Sequence, residues 1–200
     1  ILPAILMGAG EYNLPYDVVA NEYLNFSGKQ FSKSENWAVW VSDFLKEYDS
    51  ESLRYYLSSI MPESSDSDFT WDSFFDSNNN ELVATFGNLV NRIQSLIKSN
   101  FNNVVPQNKN LDEIDNNMIT DIKKSFESTG NFLEKRQFRN GLKEIMNLAK
   151  LGNRYIDQKE PWSTVKTNSQ LASNTLWVGA NLISNLGVLI APYLPKTSVK

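Results

Sequence analysis

From Trp71 to the C-terminus, apolar side chains recur every three or four residues, and this periodicity restricts the chain more than any other feature. Leu82, Phe86, Leu89, Ile93 and Leu96 place one apolar stripe along a long helix. A second helix is expected over about Asp112 to Glu127. A third is expected from Phe132 to Ile156, with Phe138, Leu142, Ile145, Ala149 and Gly152 inward. A last helix covers about Gln170 to Ile190. Leu176 to Leu194 carries no charge and approaches the length of a membrane span. Asn181, Ser184, Asn185 and Pro192 instead fit a buried helix that closes a bundle, with no membrane partner.

The first seventy residues read differently. Asp17 to Phe26 has the β-branched and aromatic content of a strand, and Ser27-Gly28-Lys29-Gln30 is turn chemistry. Two helices are expected next, about Trp37 to Tyr48 and around Leu53 to Leu57, the latter capped by Asp49 or Ser50. Pro62 ends it. Glu63 to Asp68 is acidic and serine-rich, and reads as a connector. The expected division is a mixed region over 1–70 and a mainly α antiparallel helical bundle over 71–200.

Composition removes several chemistries. The 200 residues include no cysteine and no histidine. Disulfides, thiolate zinc sites, histidine-ligated metals and Ser-His-Asp triads cannot be built from this chain alone, and no metal site is expected. The net charge is −4, so any nucleic-acid footprint must be local. The chain opens at Ile1 in mid-pattern, without an initiator Met or a basic n-region. It reads as a piece of a longer cytoplasmic protein without a signal peptide.

Four constellations could carry function. Gly28-Lys29-Gln30-Phe31-Ser32-Lys33-Ser34 is a turn bearing hydroxyls and lysines. It suits either nucleotide phosphates or a solvated hairpin tip. Asn88 and Arg92 lie four apart on one helix face. An amide and a guanidinium can read an unstacked base, or can simply form a polar face. Trp162, after Pro161, is either a stacking platform for a base or a lid on the core. Lys135, Arg139, Lys143, Lys150 and Arg154 recur on what reads as a single helix. They are either a solvated face or a stripe that meets RNA phosphates.

Gln30-Phe31-Ser32-Lys33-Ser34 resembles the KMSKS signature loop of class I aminoacyl-tRNA synthetases. The flanks resemble the methionyl enzymes of archaeal and eukaryotic type. These are Leu2-Pro3-Ala4-Ile5-Leu6-Met7-Gly8, Asp17 to Leu24, Leu53-Arg54-Tyr55-Tyr56-Leu57, Met61-Pro62-Glu63 and Asp66 to Trp71. One position departs: the first signature lysine is Gln30, with Lys29 just before it.

The resemblance implies the C-terminal end of a Rossmann-type α/β catalytic domain followed by an α-helical anticodon-binding domain. It implies ATP, with Mg²⁺, as what the parent enzyme uses to activate methionine. Gln30, Phe31, Ser32, Lys33 and Ser34 would form the ATP loop, with Lys33 stabilising the transition state of adenylate formation. Asn88, Arg92 and Trp162 would recognise the anticodon of tRNA(Met). The histidine-containing signature, methionine pocket and zinc knuckle of such enzymes belong to an N-terminal catalytic portion upstream of Ile1. The chain alone is therefore expected to be inactive. The alternatives are another class I synthetase or a non-catalytic helical module that docks a protein.

Overall fold

The computed structural model describes residues 1–199. The chain is mainly helical, with one small sheet near its start. Helix α1 (Leu2–Ala9) lies exposed and ends at Gly10. Strands β1 (Leu24–Phe26) and β2 (Lys29–Gln30) form a hairpin, and β3 (Ser67–Phe69) pairs with β1 in parallel. Helices α2 (Val41–Glu47) and α3 (Ser50–Ser59) lie between β2 and β3. The Asp49 side chain caps α3 by accepting the Glu51 N–H at 2.8 Å.

The strand expected from Asp17 shrinks to three residues. Val18 and Val19 are solvent-exposed, and regular contact begins where the Glu22 N–H meets the Pro62 carbonyl at 2.8 Å. β-Branched residues form strand only beside a partner. The acidic stretch Glu63 to Asp68 supplies that partner, so it is not a free connector. Asp66 accepts the Tyr23 N–H, and Asp68 accepts the Gly28 N–H. The first helix expected here starts at Val41 rather than Trp37, because Trp37 is tied by backbone hydrogen bonds to Ser32.

Two cores share α3 between them. Phe44, Leu53, Tyr56, Phe69 and Phe74 form a small aromatic core. Tyr55, one residue from Tyr56, instead joins the bundle core. One uninterrupted helical stretch runs from α4 (Trp71–Asp76) through a π-wound segment (Ser77–Gly87) into α5 (Asn88–Asn100). Its start packs in the small core and its remainder in the bundle. Of the predicted stripe, Leu89 and Ile93 are fully buried. Ile97, one turn after Ile93, is buried at its inner end, whereas Leu96 is only partly buried.

Helix α6 (Glu113–Glu134) has a reciprocal capping box between Asp112 and Asp115. It runs seven residues past its expected end. The chain then turns at Arg136, which takes φ +60°, and α7 (Phe138–Lys159) begins. Lys135 therefore ends α6 and does not belong to the basic helix. Glu160, at φ +43°, makes the next corner, with Pro161 opening the short α8 (Pro161–Thr167). Helix α9 (Ser169–Ile190) closes the bundle, with Leu176, Leu182 and Leu186 buried. Asn181 and Asn185 donate to carbonyls one turn earlier on their own helix. No helix among the described residues is long and apolar enough to cross a membrane.

Candidate nucleic-acid and nucleotide sites

The bundle site starts from a close approach of helices. A Cβ built on Gly152 would lie 2.4 Å from Leu182 and 2.8 Å from Leu89, so α5, α7 and α9 meet where any larger residue would have to displace these buried methyls. That approach brings Arg92 of α5 within reach of α7. Its Nη2 donates to Asp157 Oδ1 at 2.6 Å, and its Nη1 makes a longer bond to Asn153 Oδ1 at 3.4 Å. The Asn153 amide in turn donates to the Thr85 carbonyl at 2.9 Å. The guanidinium also lies over the Trp162 ring, 5.4 Å from its centroid. A cation over an indole is attracted by the ring's quadrupole.

Trp162 is 42% exposed, so part of its side chain is accessible from solvent. Asn88 is exposed one helical turn before Arg92, and its side chain has no hydrogen-bond partner among the described residues. The structure thus brings Arg92 and Trp162 together, with Asn88 beside Arg92 on the helix surface. Asn153 and Asp157 are partners the sequence did not disclose. They lie 61 and 65 residues from Arg92, and only the packed bundle makes them neighbours.

The corner that presents Trp162 is anchored from inside. Lys159, the last residue of α7, has only 7% of its side chain exposed and contacts Asp112 at 2.5 Å and Asp115 at 2.9 Å. Asp115 is fully buried and also accepts the Tyr155 hydroxyl at 2.7 Å. Burial opposes the Lys159 charge, but the two carboxylates outweigh it and raise the ammonium pKa above its ordinary value. Burial likewise opposes the Asp112 charge. Lys159 and the N–H groups of Asp115 and Ile114 outweigh it and hold this carboxyl below the usual range. Burial and the hydrogen bond to Asp115 raise the Tyr155 phenol.

The second site is the loop after the hairpin. Ser27 and Gly28 both take positive φ, 48° and 79°, as a two-residue hairpin turn of the mirror-image type requires. Ser32 and Trp37 then exchange backbone hydrogen bonds of 2.8 and 2.9 Å, closing a short loop with Lys33, Ser34, Glu35 and Asn36 at its tip. Phe31 stacks on Phe26 with centroids 5.7 Å apart, and the Trp37 indole donates to the Phe26 carbonyl at 2.9 Å. Ser32 and Ser34 hydroxyls lie 3.2 Å apart. Gln30 is exposed, on β2. Lys29 sits over the Trp37 ring at 5.5 Å, whereas the Lys33 side chain is exposed and meets no partner among the described residues. A free ammonium beside two hydroxyls fits a polyphosphate. Among the described residues, no group of three or more acidic side chains clusters as a metal site would.

Residues 1–94 match the family described as "tRNA synthetases class I (M)". Residues 105–200 match the one described as "Anticodon binding domain of methionyl tRNA ligase". Similar curated proteins include the methionine–tRNA ligase of Pyrococcus furiosus, 43% identical over 207 aligned residues, covering 99% of this chain and 29% of that protein. Another is the methionine–tRNA ligase of Thermomicrobium roseum, 46% identical, covering 99% and 34%. The chain thus spans about a third or less of these relatives. Among solved structures, Mycobacterium tuberculosis methionyl-tRNA synthetase bound by methionyl-adenylate superposes with a TM-score of 0.90. It is 23% identical and covers 98% of this chain and 39% of that one, which is a likeness of fold.

Proposed function

The chain belongs to the methionine–tRNA ligase family, and from that premise we propose that it supplies two parts of a methionine–tRNA ligase: the ATP loop and the anticodon reader. In such an enzyme the methionine carboxylate attacks the α-phosphorus of ATP, pyrophosphate departs, and methionine then passes from the adenylate to tRNA(Met). Residues 1–70 would serve the first step. Lys33 would neutralise charge growing on the departing pyrophosphate, with Ser32 and Ser34 donating to phosphate oxygens. Gln30 and Phe31 shape the loop, and Lys29, held on Trp37, is less free to help. Residues 71–200 would bind the anticodon, in the cytoplasm where charging occurs.

The observation that carries the anticodon reading is the Arg92 guanidinium lying over a half-open Trp162. A splayed base can stack on the exposed part of the indole beside Arg92, with Arg92 and Asn88 meeting its hydrogen-bonding edge. Asp157 and Asn153 each accept one N–H of the guanidinium, which leaves its other N–H groups for the base.

Titration of the chain with tRNA(Met), and with the same tRNA carrying a changed anticodon, tests the reading. A salt-sensitive complex is expected, weakened roughly 5-fold or more by the change, because a mismatched base edge leaves hydrogen-bonding groups unpaired at about 1–3 kcal/mol. Equal binding of both RNAs, or none, contradicts it, and none is what a protein-docking module gives. Lys33→Ala in the longer ligase should slow adenylate formation by about 10²–10³-fold, the scale for removing one transition-state donor.

A further inference from the structure

Helix α3 enters both cores, and its remaining face grips the segment just beyond α9. Glu51, in its first turn, is 5% exposed yet has no cation partner among the described residues. Its carboxylate instead accepts the Lys196 N–H at 2.5 Å, the Thr197 N–H at 2.8 Å and the Thr197 hydroxyl. One turn on, Arg54 donates from Nε to the Tyr193 carbonyl and from Nη2 to the Pro192 carbonyl, both at 2.9 Å. These carbonyls follow directly on the C-terminal end of α9, where the helix dipole favours a cation. The same segment reaches α7. The Tyr193 hydroxyl donates to the Phe138 carbonyl at 2.8 Å, in space that Gly141 leaves open, since a Cβ there would lie 2.5 Å from it. In the other direction α3 leads to the ATP loop. Tyr56 packs edge-on against Phe69 at 5.2 Å, Phe69 packs against Phe26 at 6.0 Å, and Phe26 carries Phe31 and the Trp37 indole.

We propose that Glu51 and Arg54 are positioning residues for the transfer of methionine to tRNA. They clamp α3 to the end of the bundle, and so hold the loop that carries Lys33 in one orientation to the Arg92–Trp162 cluster. The inference rests on the function proposed above. Three bonds to Glu51 and two from Arg54, all charge-assisted, are of the kind that fixes one geometry. A tRNA held by its anticodon acts as a lever, so a small rotation at α3 moves its far end off the reacting adenylate. Neither side chain belongs to the ATP loop or to the anticodon cluster. Their effect therefore falls on the transfer step, and not on either binding event.

The chain has no cysteine, so spin labels at Lys46→Cys on α2 and Lys124→Cys on α6, both exposed, report one distance. Wild type should give a narrow distribution, and Glu51→Gln/Arg54→Gln a broadened or split one. Affinity of the chain for tRNA(Met) should stay within about 2-fold, because the clamp shares no partner with the base site. In the full-length ligase the same change should lower kcat for tRNA charging by about 10-fold or more, since a misplacement of about 1 Å can cost ~10²-fold. KM for tRNA and ATP–pyrophosphate exchange should hold within about 2-fold. Arg54→Lys, whose single ammonium cannot copy the guanidinium fork, should show a smaller effect of the same sign, and it serves if the double variant does not fold. An unchanged distance distribution or an unchanged charging kcat in a folded variant overturns the clamp. So does a loss of exchange or of tRNA affinity as large as the loss in kcat, which is the mark of a merely structural role. A wild-type chain with no anticodon preference instead overturns the function proposed above and the transfer role with it, whatever the labels report.

Discussion

Arg92 and Lys33 are both cations proposed to serve nucleotide chemistry, and the molecule treats them in opposite ways. Arg92 is fixed by Asp157, Asn153 and the Trp162 ring, on helices pinned by a glycine contact and a buried ion pair. Lys33 stands at the tip of a short loop closed by one pair of backbone hydrogen bonds, with no side-chain partner among the described residues. The difference suits the two proposed tasks. Reading a base edge needs donors held in one geometry before the base arrives. Meeting charge that appears on a leaving phosphate needs an ammonium free to follow it.

If the bundle site depends on preorganisation, its largest sensitivity lies beneath the surface. Lys159→Met leaves the fully buried Asp115 without its cation. It should cost about 3–5 kcal/mol of stability in denaturant unfolding. A loss below about 1 kcal/mol would show that the corner is held by other means.

Trp162→Ala acts on binding instead. Affinity for tRNA(Met) should fall by about 1–3 kcal/mol, roughly 5–150-fold, with little change in unfolding. A stability loss without a binding loss would return the indole to a core role.

The buried ion pair also sets a pH signature. Lys159 titrates above its ordinary value when folded, so its contribution is complete below the unfolded lysine pKa. It disappears as pH rises through the raised folded value. Asp112 titrates below its ordinary value, so its contribution is present above the unfolded carboxylate pKa and fades as pH falls through the depressed one. Thermal melts across pH should show both losses in wild type. Lys159→Met should lack the alkaline one. Smallest of all, Lys33→Ala should leave stability within about 0.5 kcal/mol and anticodon binding unchanged. A larger effect would mean that the loop is not as independent as its geometry indicates.

The sequence disclosed what periodicity and local chemistry encode. The long helices, the inner face of α7, the hairpin turn at Ser27-Gly28 and the pairing of Asn88 with Arg92 on one helix all follow from spacing. Three features escaped it. The α6–α7 corner falls on Arg136, a residue that does not announce a positive φ, while Gly130 sits inside α6. That misplacement put Lys135 on the wrong helix. Strand β3 was hidden in a Ser/Asp-rich segment whose role depends on a partner more than forty residues away. Asn153 and Asp157 were ordinary polar positions until the Gly152 contact brought α7 against α5.

The convergence of Arg92 and Trp162 on one base is tested most directly by a double-mutant cycle. Affinities for tRNA(Met) would be measured for wild type, Arg92→Ala, Trp162→Ala and the double variant. Two side chains that hold the same nucleobase should be coupled by about 0.5–3 kcal/mol, so the double variant loses less than the sum of the single losses. Additive losses would mean that the two residues serve separate contacts, contrary to the geometry described for α5 and α8.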